Sequence, residues 1–267
     1  MFYKKNKKKF EYVIIIPARM KSNRLPGKPL IKIKDIPMVI RTYLQCRKVV
    51  KNELIFIATD SLKIQNVCKN YGAQSILTSN KCLTGTDRVA EVAKKIESKL
   101  YINVQGDEPI FNPKDLKKLI NYSLKNPNEI ISGYCDIYEE RMYNDLNVPK
   151  VVLDKNQYLL YATRAPVPSN KKGKFLSAQR QICAYSFPKE TLKFFDKTKK
   201  KSPLENLEDI EYLRFIENGL RIKCIRMSGT SLAVDNSFDL NLVSKIIKKN
   251  KGLYEWQKKI FRSKFRK

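Results

Sequence analysis

The sequence contains no histidine, which excludes any mechanism that depends on an imidazole base or an imidazole metal ligand. It has six cysteines, but no two of them have the CxxC spacing of a zinc or redox site. Scattered cysteines argue against a disulfide framework and favour a reducing compartment, so we expect a cytoplasmic protein. No apolar run approaches the ~18 residues of a membrane span, and the N-terminus lacks the features of a signal peptide.

Acidic residues are also scarce. The 267 residues include 26 Asp and Glu against 54 Lys and Arg, which gives a net charge of +28. Part of this excess lies in the ends, because residues 1–9 carry five lysines and residues 245–267 carry ten basic residues with one acid. A basic chain is typical of proteins with anionic partners: nucleic acids, membrane surfaces or phosphorylated small molecules. A nucleic-acid-binding protein is therefore one hypothesis, but the sequence has no recognition motif and no stacking platform that would favour it.

The chain has no internal repeat and no glycine-, serine- or proline-rich linker. We therefore predict one α/β domain over residues 11–247, with a basic N-terminal tail at 1–10 and a basic helical C-terminal tail at 248–267. An amphipathic tail containing Trp256 and Phe261 could contact an anionic membrane surface, although a solvated end is the simpler interpretation.

Strand and helix patterns alternate through the first half of the chain. Apolar β-branched runs predict strands at 12–18, 53–60, 73–78 and 100–109, and helical spacing predicts helices at 37–50, 61–72 and 86–99. The second half predicts a hairpin at 150–166, a helix at 202–219 capped by Ser202 and ended by Gly219, and strands at 221–227 and 231–235. This alternation predicts a mostly parallel, doubly wound sheet.

Three segments rich in functional groups follow predicted strands: PARMKSNRLPGK, QGDEP and VDNS. Ligands of open α/β sheets bind beyond the carboxyl ends of the strands, so we expect these segments to meet at one edge. The first segment carries Arg19, Lys21, Arg24 and Lys28 around Gly27, a composition suited to a polyphosphate. It matches neither a Walker loop nor GxGxxG, and the alternative is a solvated charged turn.

The other two segments supply carboxylates. Asp107 and Glu108 follow one apolar strand, and Asp235 ends another. Two aspartates beside a phosphate-binding loop are a typical magnesium site, because Mg²⁺ takes one or two carboxylates plus substrate oxygens. The alternative is that either aspartate only caps a turn or a helix.

Seven motifs in this order resemble one family: PARMKSNRLPGKPL, ATDS, LTGTDRVAEV, INVQGDEP, VPKVVLD…LYATRAPVP, SPLE…E.LR and AVDN.FDL. The sequence is similar to 3-deoxy-manno-octulosonate (KDO) cytidylyltransferases, also called CMP-KDO synthetases. The resemblance implies a single-domain, Rossmann-like fold of the nucleotide-diphospho-sugar-transferase type, with a mostly parallel sheet flanked by helices and a hairpin that pairs two subunits in a homodimer. It also implies that CTP and KDO react to give CMP-KDO and pyrophosphate with Mg²⁺, for lipopolysaccharide or another surface glycan.

The resemblance further implies a role for individual residues. Those matching the CTP site are Ala18, Arg19, Ser22, Arg24, Lys28, Gly85, Thr86 and Gln105, with Asp87 beside them. Those matching the sugar-acid site are Arg164, Gln181 and Glu211. Asp107 and Asp235 match the metal ligands, and together with Arg19 and Lys28 they are the implied catalytic residues.

The sequence departs from the family at two sugar positions. It reads Gln181-Ile182-Cys183 where many members have histidine and a small apolar pair, and Glu211-Tyr212 where many have Glu-Gln. The alternative acceptors are therefore other acidic sugars, such as an 8-amino-KDO or a sialic-acid-like acid. A transferase acting on sugar 1-phosphates is a further alternative, but its usual GxGTR loop is absent.

Overall fold

The computed structural model describes residues 9–22, 24–198, 200–250 and 252. The strands within these residues are β1 (Phe10–Ala18), β2 (Lys32–Ile33), β3 (Ile36–Pro37), β4 (Ile55–Thr59), β5 (Gln74–Leu77), β6 (Ser98–Val104), β7 (Ile130–Ile137), β8 (Lys150–Leu153), β9 (Leu159–Thr163), β10 (Ala178–Pro188) and β11 (Ile222–Arg226). The α-helices are α1 (Met38–Arg47), α2 (Leu62–Asn70), α3 (Gly85–Lys95), α4 (Pro113–Lys125), α5 (Glu140–Asn144), α6 (Lys189–Lys197), α7 (Pro203–Glu208), α8 (Leu213–Glu217) and α9 (Ser237–Lys249).

Nine strands form one sheet in the order β11-β7-β10-β6-β1-β4-β5, with β8 paired to β10 and β9 to β8. The β1, β4 and β5 strands pair in parallel, as do β7 and β11. The β10 strand and the β8–β9 hairpin pair antiparallel. The predicted α/β class with a mostly parallel central sheet flanked by helices is confirmed.

Two compact units can be distinguished along the chain. The loop unit comprises residues 14–81, 104–117 and the described part of 230–267. Its β1 residues Ile14–Ile16 are fully buried, as expected for a β-branched run in a parallel sheet. A second apolar cluster includes Met38 at the start of α1 and Val243 and Ile247 on α9. The α9 helix is thereby fixed to the unit that contains the cationic loop.

The hairpin unit comprises residues 82–103, 118–229 and the described part of 1–13. It contains the predicted hairpin, which is built from β8 and β9 with a turn at Asp154, whose carboxylate accepts the Tyr158 N–H at 2.8 Å. The Tyr158 ring lies under two cations, 3.7 Å from the Arg221 guanidinium carbon and 4.8 Å from Lys223 Nζ. These contacts join the hairpin turn to β11.

The predicted single helix over 202–219 is wrong, because α7 and α8 are separate. The chain leaves the helix at Asp209, which has a positive φ of 51°, and Gly219 ends α8 with φ 74°. The local helical pattern does not reveal this break, because the apolar spacing continues through Asp209. The break brings Arg214 to Glu205, a contact that a continuous helix does not allow.

Two other predictions need correction. Residues 231–235 form no strand, although the Val234 N–H donates to the Asp107 carbonyl at 2.9 Å. The helix predicted to reach residue 99 ends at Lys95, because Ser98 already begins β6. Of the predicted tails, residues 1–8, 251 and 253–267 lie outside the described residues, and these include Trp256 and Phe261.

Candidate active site

The cationic loop, residues 19–28, begins where β1 ends at the buried Ala18. The Arg19, Lys21 and Arg24 residues are exposed, whereas the Lys28 side chain is only 15% exposed. Three charges of the loop are therefore accessible to a ligand, and the fourth is held inside the loop unit.

Local hydrogen bonds shape the cationic loop. The Leu25 N–H donates to Ser22 Oγ at 3.3 Å, and the Lys28 N–H donates to the Leu25 carbonyl at 3.1 Å. Gly27 adopts φ 66°, a left-handed conformation that glycine reaches without a Cβ clash. This turn reverses the chain and directs Lys28 towards the interior.

Asp107 lies at a close crossing of two strand ends. The Gly106 N–H donates to the Pro17 carbonyl at 3.2 Å, and a Cβ at Gly106 would lie 2.6 Å from that oxygen. Only glycine fits this approach without a backbone shift. Thr42 Oγ1 donates to the Gly106 carbonyl at 3.1 Å and fixes the corner from α1.

Asp235 immediately precedes the cap of α9. Its N–H donates to Asp239 Oδ2 at 2.9 Å, and Asn236 Oδ1 accepts the Asp239 N–H at 3.0 Å. The side chain of Asp235 is 29% exposed. The capping interactions hold the backbone of Asp235 while its carboxylate stays available for other partners.

The loop and both aspartates meet at Lys28. Lys28 Nζ lies 2.6 Å from Asp107 Oδ2 and 3.1 Å from Asp235 Oδ1. The Arg24 guanidinium lies 3.1 Å from the same Asp235 oxygen. The proximity predicted from the strand ends is therefore observed, across 79 and 207 residues of sequence.

The electrostatics of this cluster favour a fixed positive charge. Burial alone would lower the pKa of Lys28, but the carboxylates of Asp107 and Asp235 outweigh it and raise the pKa above its usual value. Lys28 is therefore protonated at neutral pH. An anionic ligand at this position would meet Lys28 and the exposed loop arginines, and a cation would meet two carboxylate oxygens. Gln105, which is partly buried, lies two residues before Asp107 in the same segment.

The remaining predicted residues belong to the hairpin unit. Gly85, Thr86 and Asp87 form the first turn of α3, which Thr84 caps. The Thr86 N–H donates to Glu211 Oε2 at 2.9 Å, so two predicted residues from different parts of the sequence are in direct contact. Burial raises the pKa of Glu211 to about 6, although the bond from Thr86 opposes this shift.

Arg164 contacts mainly backbone. Its guanidinium donates to the carbonyls of Glu208, Leu146 (2.9 Å) and Asp209 (3.2 Å), and its N–H donates to Glu208 Oε2 at 2.9 Å. Glu208 also accepts from Thr163 Oγ1 at 2.6 Å. Arg164 therefore fastens the end of β9 to α7 and has further N–H donors for a ligand.

Gln181 is buried on β10, where its side-chain amide donates to the Tyr185 hydroxyl. Burial raises the pKa of Tyr185 well above its usual value, and the nearby Cys183 and Glu211 act in the same direction. The tyrosine is neutral and keeps its proton. Gln181, Tyr185 and Glu211 thus form a polar group among aromatic residues, including Tyr212, whose ring packs edge-on at 5.8 Å from that of Tyr185.

Glu205 and Arg214 are among the most buried charged residues, and neither was predicted from the sequence to have a role. Arg214 contacts Glu205 and the predicted residue Asp87. The sequence signal that was available is the Ser-x-x-Glu pattern at 202–205, a capping box that places an acid in the first turn of a helix.

The described part of the chain contains neither a cluster of metal-ligating side chains nor a membrane-spanning helix. No group of three or more His, Cys, Asp or Glu side chains there could hold a metal ion. Every helix in the same part is too short or too polar to cross a bilayer.

A mostly parallel α/β sheet, with a cationic loop after its first strand that meets two aspartates, defines a nucleotidyltransferase class of protein. A family model described as cytidylyltransferase matches residues 13–222, and the chain belongs to the cytidylyltransferase family. The curated relatives specify the branch. The chain is 39% identical over 245 residues to a 3-deoxy-manno-octulosonate cytidylyltransferase of Chloroherpeton thalassium. The matched region covers 89% of this chain and 98% of the relative.

Other relatives carry the same name. A protein of Francisella philomiragia is 38% identical over 246 residues (87% of this chain, 97% of the relative). One of Escherichia coli is 31% identical over 223 residues (84% and 90%).

Solved structures are also similar to this chain. The structure of CMP:2-keto-3-deoxy-manno-octonic acid synthetase complexed with CTP is 30% identical, covers 90% of this chain and 99% of that chain, and has a TM-score of 0.82. A 4-diphosphocytidyl-2C-methyl-D-erythritol synthase from Anaerococcus prevotii is 14% identical (90% and 96% covered, TM-score 0.59) and shares the fold alone.

Proposed function

We propose that the protein transfers the cytidylyl group of CTP to KDO, giving CMP-KDO and pyrophosphate for lipopolysaccharide or another surface glycan. The observation that carries the proposal is the convergence of Lys28, Asp107 and Asp235 at one strand edge. The names of the relatives and the CTP complex of a 30% identical structure support the choice of nucleotide and sugar.

The two aspartates fit a magnesium ion. Asp107 Oδ2 and Asp235 Oδ1 both lie within hydrogen-bond distance of Lys28 Nζ, so they converge on one small volume. An oxygen-only donor set of two carboxylates suits Mg²⁺, which completes its shell with water and phosphate oxygens. Bound magnesium would supply positive charge at the reacting phosphate and would lower the pKa of a coordinated hydroxyl.

The cationic loop would hold the triphosphate. In an in-line displacement the anomeric hydroxyl attacks the α-phosphorus, and negative charge develops on the departing pyrophosphate. Arg19, Arg24 and Lys28 would stabilise that charge, with Ser22 in the same loop and Ala18 at the end of β1 next to it. Gln105 would lie beside the nucleotide, and the Gly85–Thr86 turn would contact its base and ribose.

The acceptor would be bound by Arg164, Gln181 and Glu211. Gln181 offers a neutral amide that already donates to Tyr185, and Glu211 is a carboxyl group whose raised pKa lies near neutrality. An amino or acetamido substituent on the acceptor would need different partners from a hydroxyl. The departures at Gln181 and Tyr212 therefore keep an 8-amino-KDO or a sialic-acid-like acid as the second candidate acceptor.

The decisive assay is pyrophosphate release by the full chain. CTP, UTP and ATP are crossed with KDO, an 8-amino-KDO, a sialic acid and glucose 1-phosphate, and the nucleotide product is identified by mass spectrometry. We expect release with CTP and KDO, dependent on added Mg²⁺. Release with a sugar 1-phosphate alone, or salt-sensitive nucleic-acid retention on filters without any release, would reject the proposal.

The variant Asp107→Asn tests the acidic pair. It should lower turnover by about 10³-fold, because it removes one of two charges that would hold the metal, while the unfolding midpoint stays close to that of wild type. Asp196→Asn is the control, since Asp196 pairs with Lys94 on the surface at 2.6 Å. Equal activity of the two variants would refute the metal assignment.

Quaternary structure and location are further proposals. We infer a homodimer in which the β8–β9 hairpin pairs the subunits, and we place the reaction in the cytoplasm, where CTP is made. Leu160 on β9 is 57% exposed and Leu207 on α7 is 79% exposed, and Glu208 next to Leu207 bonds to Thr163 at the end of β9. This exposed apolar surface supports pairing with a second copy.

A further inference from the structure

Arg214 and Glu205 form an ion pair that is almost completely enclosed in the hairpin unit. Arg214 Nε lies 2.6 Å from Glu205 Oε2, and Arg214 Nη2 lies 2.7 Å from Glu205 Oε1. The two side chains are 1% and 0% exposed, and the guanidinium also lies over the Phe195 ring at 3.8 Å. Such a pair is costly to bury, and an apolar pair of similar volume is often equally stable. Stability alone therefore does not account for it.

The third interaction of Arg214 reaches the turn assigned to the nucleotide. Arg214 Nη1 lies 2.9 Å from Asp87 Oδ1. The other oxygen of Asp87 accepts from the Thr84 N–H at 2.7 Å and from Thr84 Oγ1 at 2.8 Å. Asp87 is thus held at one oxygen by the arginine and uses the other to fix the residue that begins α3.

The break between α7 and α8 makes this arrangement possible. Glu205 and Arg214 are nine residues apart, and in one continuous helix they would point about 180° apart with about 13 Å between them along the axis. The positive φ of Asp209 turns the chain back, so that Arg214 meets Glu205. Within the same segment Glu211 accepts the Thr86 N–H, so α3 is held at two points.

We propose that Arg214 is a positioning residue, which through Asp87 holds the Thr84–Thr86 turn in the conformation that binds the nucleotide. This inference rests on the proposed function, because the turn is assigned to CTP there. Glu205 fixes the guanidinium plane, and the fork of Arg214 spans both carboxylates. A lysine cannot replace it, because a single ammonium group lacks the planar fork that contacts both acids.

The experiment compares four full-length proteins: wild type, Arg214→Lys, the double variant Glu205→Met with Arg214→Met, and Lys94→Met. The double variant replaces the buried pair by an apolar one and also loses the bond from the Ser202 N–H to Glu205, so it should recover most of the unfolding midpoint that Arg214→Lys loses. Both changes at Arg214 should raise the KM for CTP and the calorimetric Kd for CTP by about 10-fold, with kcat changed less than about 3-fold. Lys94→Met is the control on α3, because Lys94 pairs with Asp196 away from the turn.

The outcomes separate this inference from the proposed function. Wild-type protein that binds no CTP would refute both. Wild-type protein that binds CTP, together with a double variant of normal KM, would overturn the inference alone, because a purely structural pair is fully replaced by an apolar one. A stable double variant with weak CTP binding supports the positioning role.

Discussion

In a chain without histidine, Glu211 is a side chain whose pKa the fold moves towards neutrality. Its carboxyl group accepts a backbone N–H from α3, yet burial dominates and raises the pKa to about 6. The group is therefore partly protonated under mildly acidic conditions and can exchange a proton near neutrality.

The raised pKa predicts a pH-dependent stability. The folded state binds the proton more tightly than the unfolded state, whose glutamate has the ordinary pKa near 4.5. The stabilisation by protonated Glu211 is therefore complete below about pH 4.5 and is lost as the pH rises through 6, by about 2 kcal/mol at most. Urea unfolding of wild type and Glu211→Gln at pH 4 to 7 measures this, since other groups titrate alike in both proteins. A constant difference over that range would contradict the shift.

The segment that follows β6 crosses the end of β1 closely. Because a Cβ at Gly106 would approach the Pro17 carbonyl to 2.6 Å, Gly106→Ala should push β6 and β1 apart at the position of Asp107. We expect a loss of about 1–3 kcal/mol in unfolding free energy and a loss of most pyrophosphate release.

Gly173→Ala provides the comparison for this prediction. Gly173 has a positive φ of 69°, but no atom lies within 4 Å of the added Cβ. Its cost is backbone strain alone, and activity should remain near that of wild type. If Gly106→Ala retains full activity, the close crossing is not what holds Asp107.

Local sequence signals predicted β1, β4 to β6, the β8–β9 hairpin, β11 and α1 to α3, but not β2, β3, β7, β10 or α4 to α6. The buried runs gave β1 and β4, and helical spacing with capping residues gave α1 to α3, because these features depend on near neighbours. The break at Asp209 could not be predicted, since the apolar spacing continues through it and the Arg214–Glu205 contact that accompanies it has no local signal. The segment 231–235 alternates like a strand, but only a pairing partner makes a strand.

The same distinction applies to the candidate site. The strand-end rule predicted that the loop after β1 would meet Asp107 after β6. Asp235 joins them although 231–235 form no strand, because the Val234 N–H donates to the Asp107 carbonyl. The link from Glu205 through Arg214 to Asp87 was not predicted. Charged residues are mostly exposed in folded proteins, so a sequence alone predicts that Glu205 and Arg214 lie at the surface. Their burial depends on the path of the chain, which no short motif specifies.

At the scale of the whole molecule, the exposed leucines predict assembly. Replacing Leu160 and Leu207 by glutamate should convert a dimer into a monomer in sedimentation velocity, because like charges would face each other across the paired hairpins. Leu62→Glu on α2 is the control, since Leu62 is 64% exposed in the loop unit. A wild-type monomer, or a dimer unaffected by the double change, would reject the hairpin interface.

Within the described residues, three acids of this lysine-rich chain close a capping box at the third position of a helix: Asp87, Glu205 and Asp239. Each accepts the backbone N–H of the residue that precedes its helix, and each also binds a second group, either Arg214 or the Asp235 N–H. A compositional drift towards lysine can proceed over the open surface at little cost. At these three positions the drift would have to stop. Replacing one of these acids by lysine would remove the contacts that hold both a helix start and a neighbouring segment.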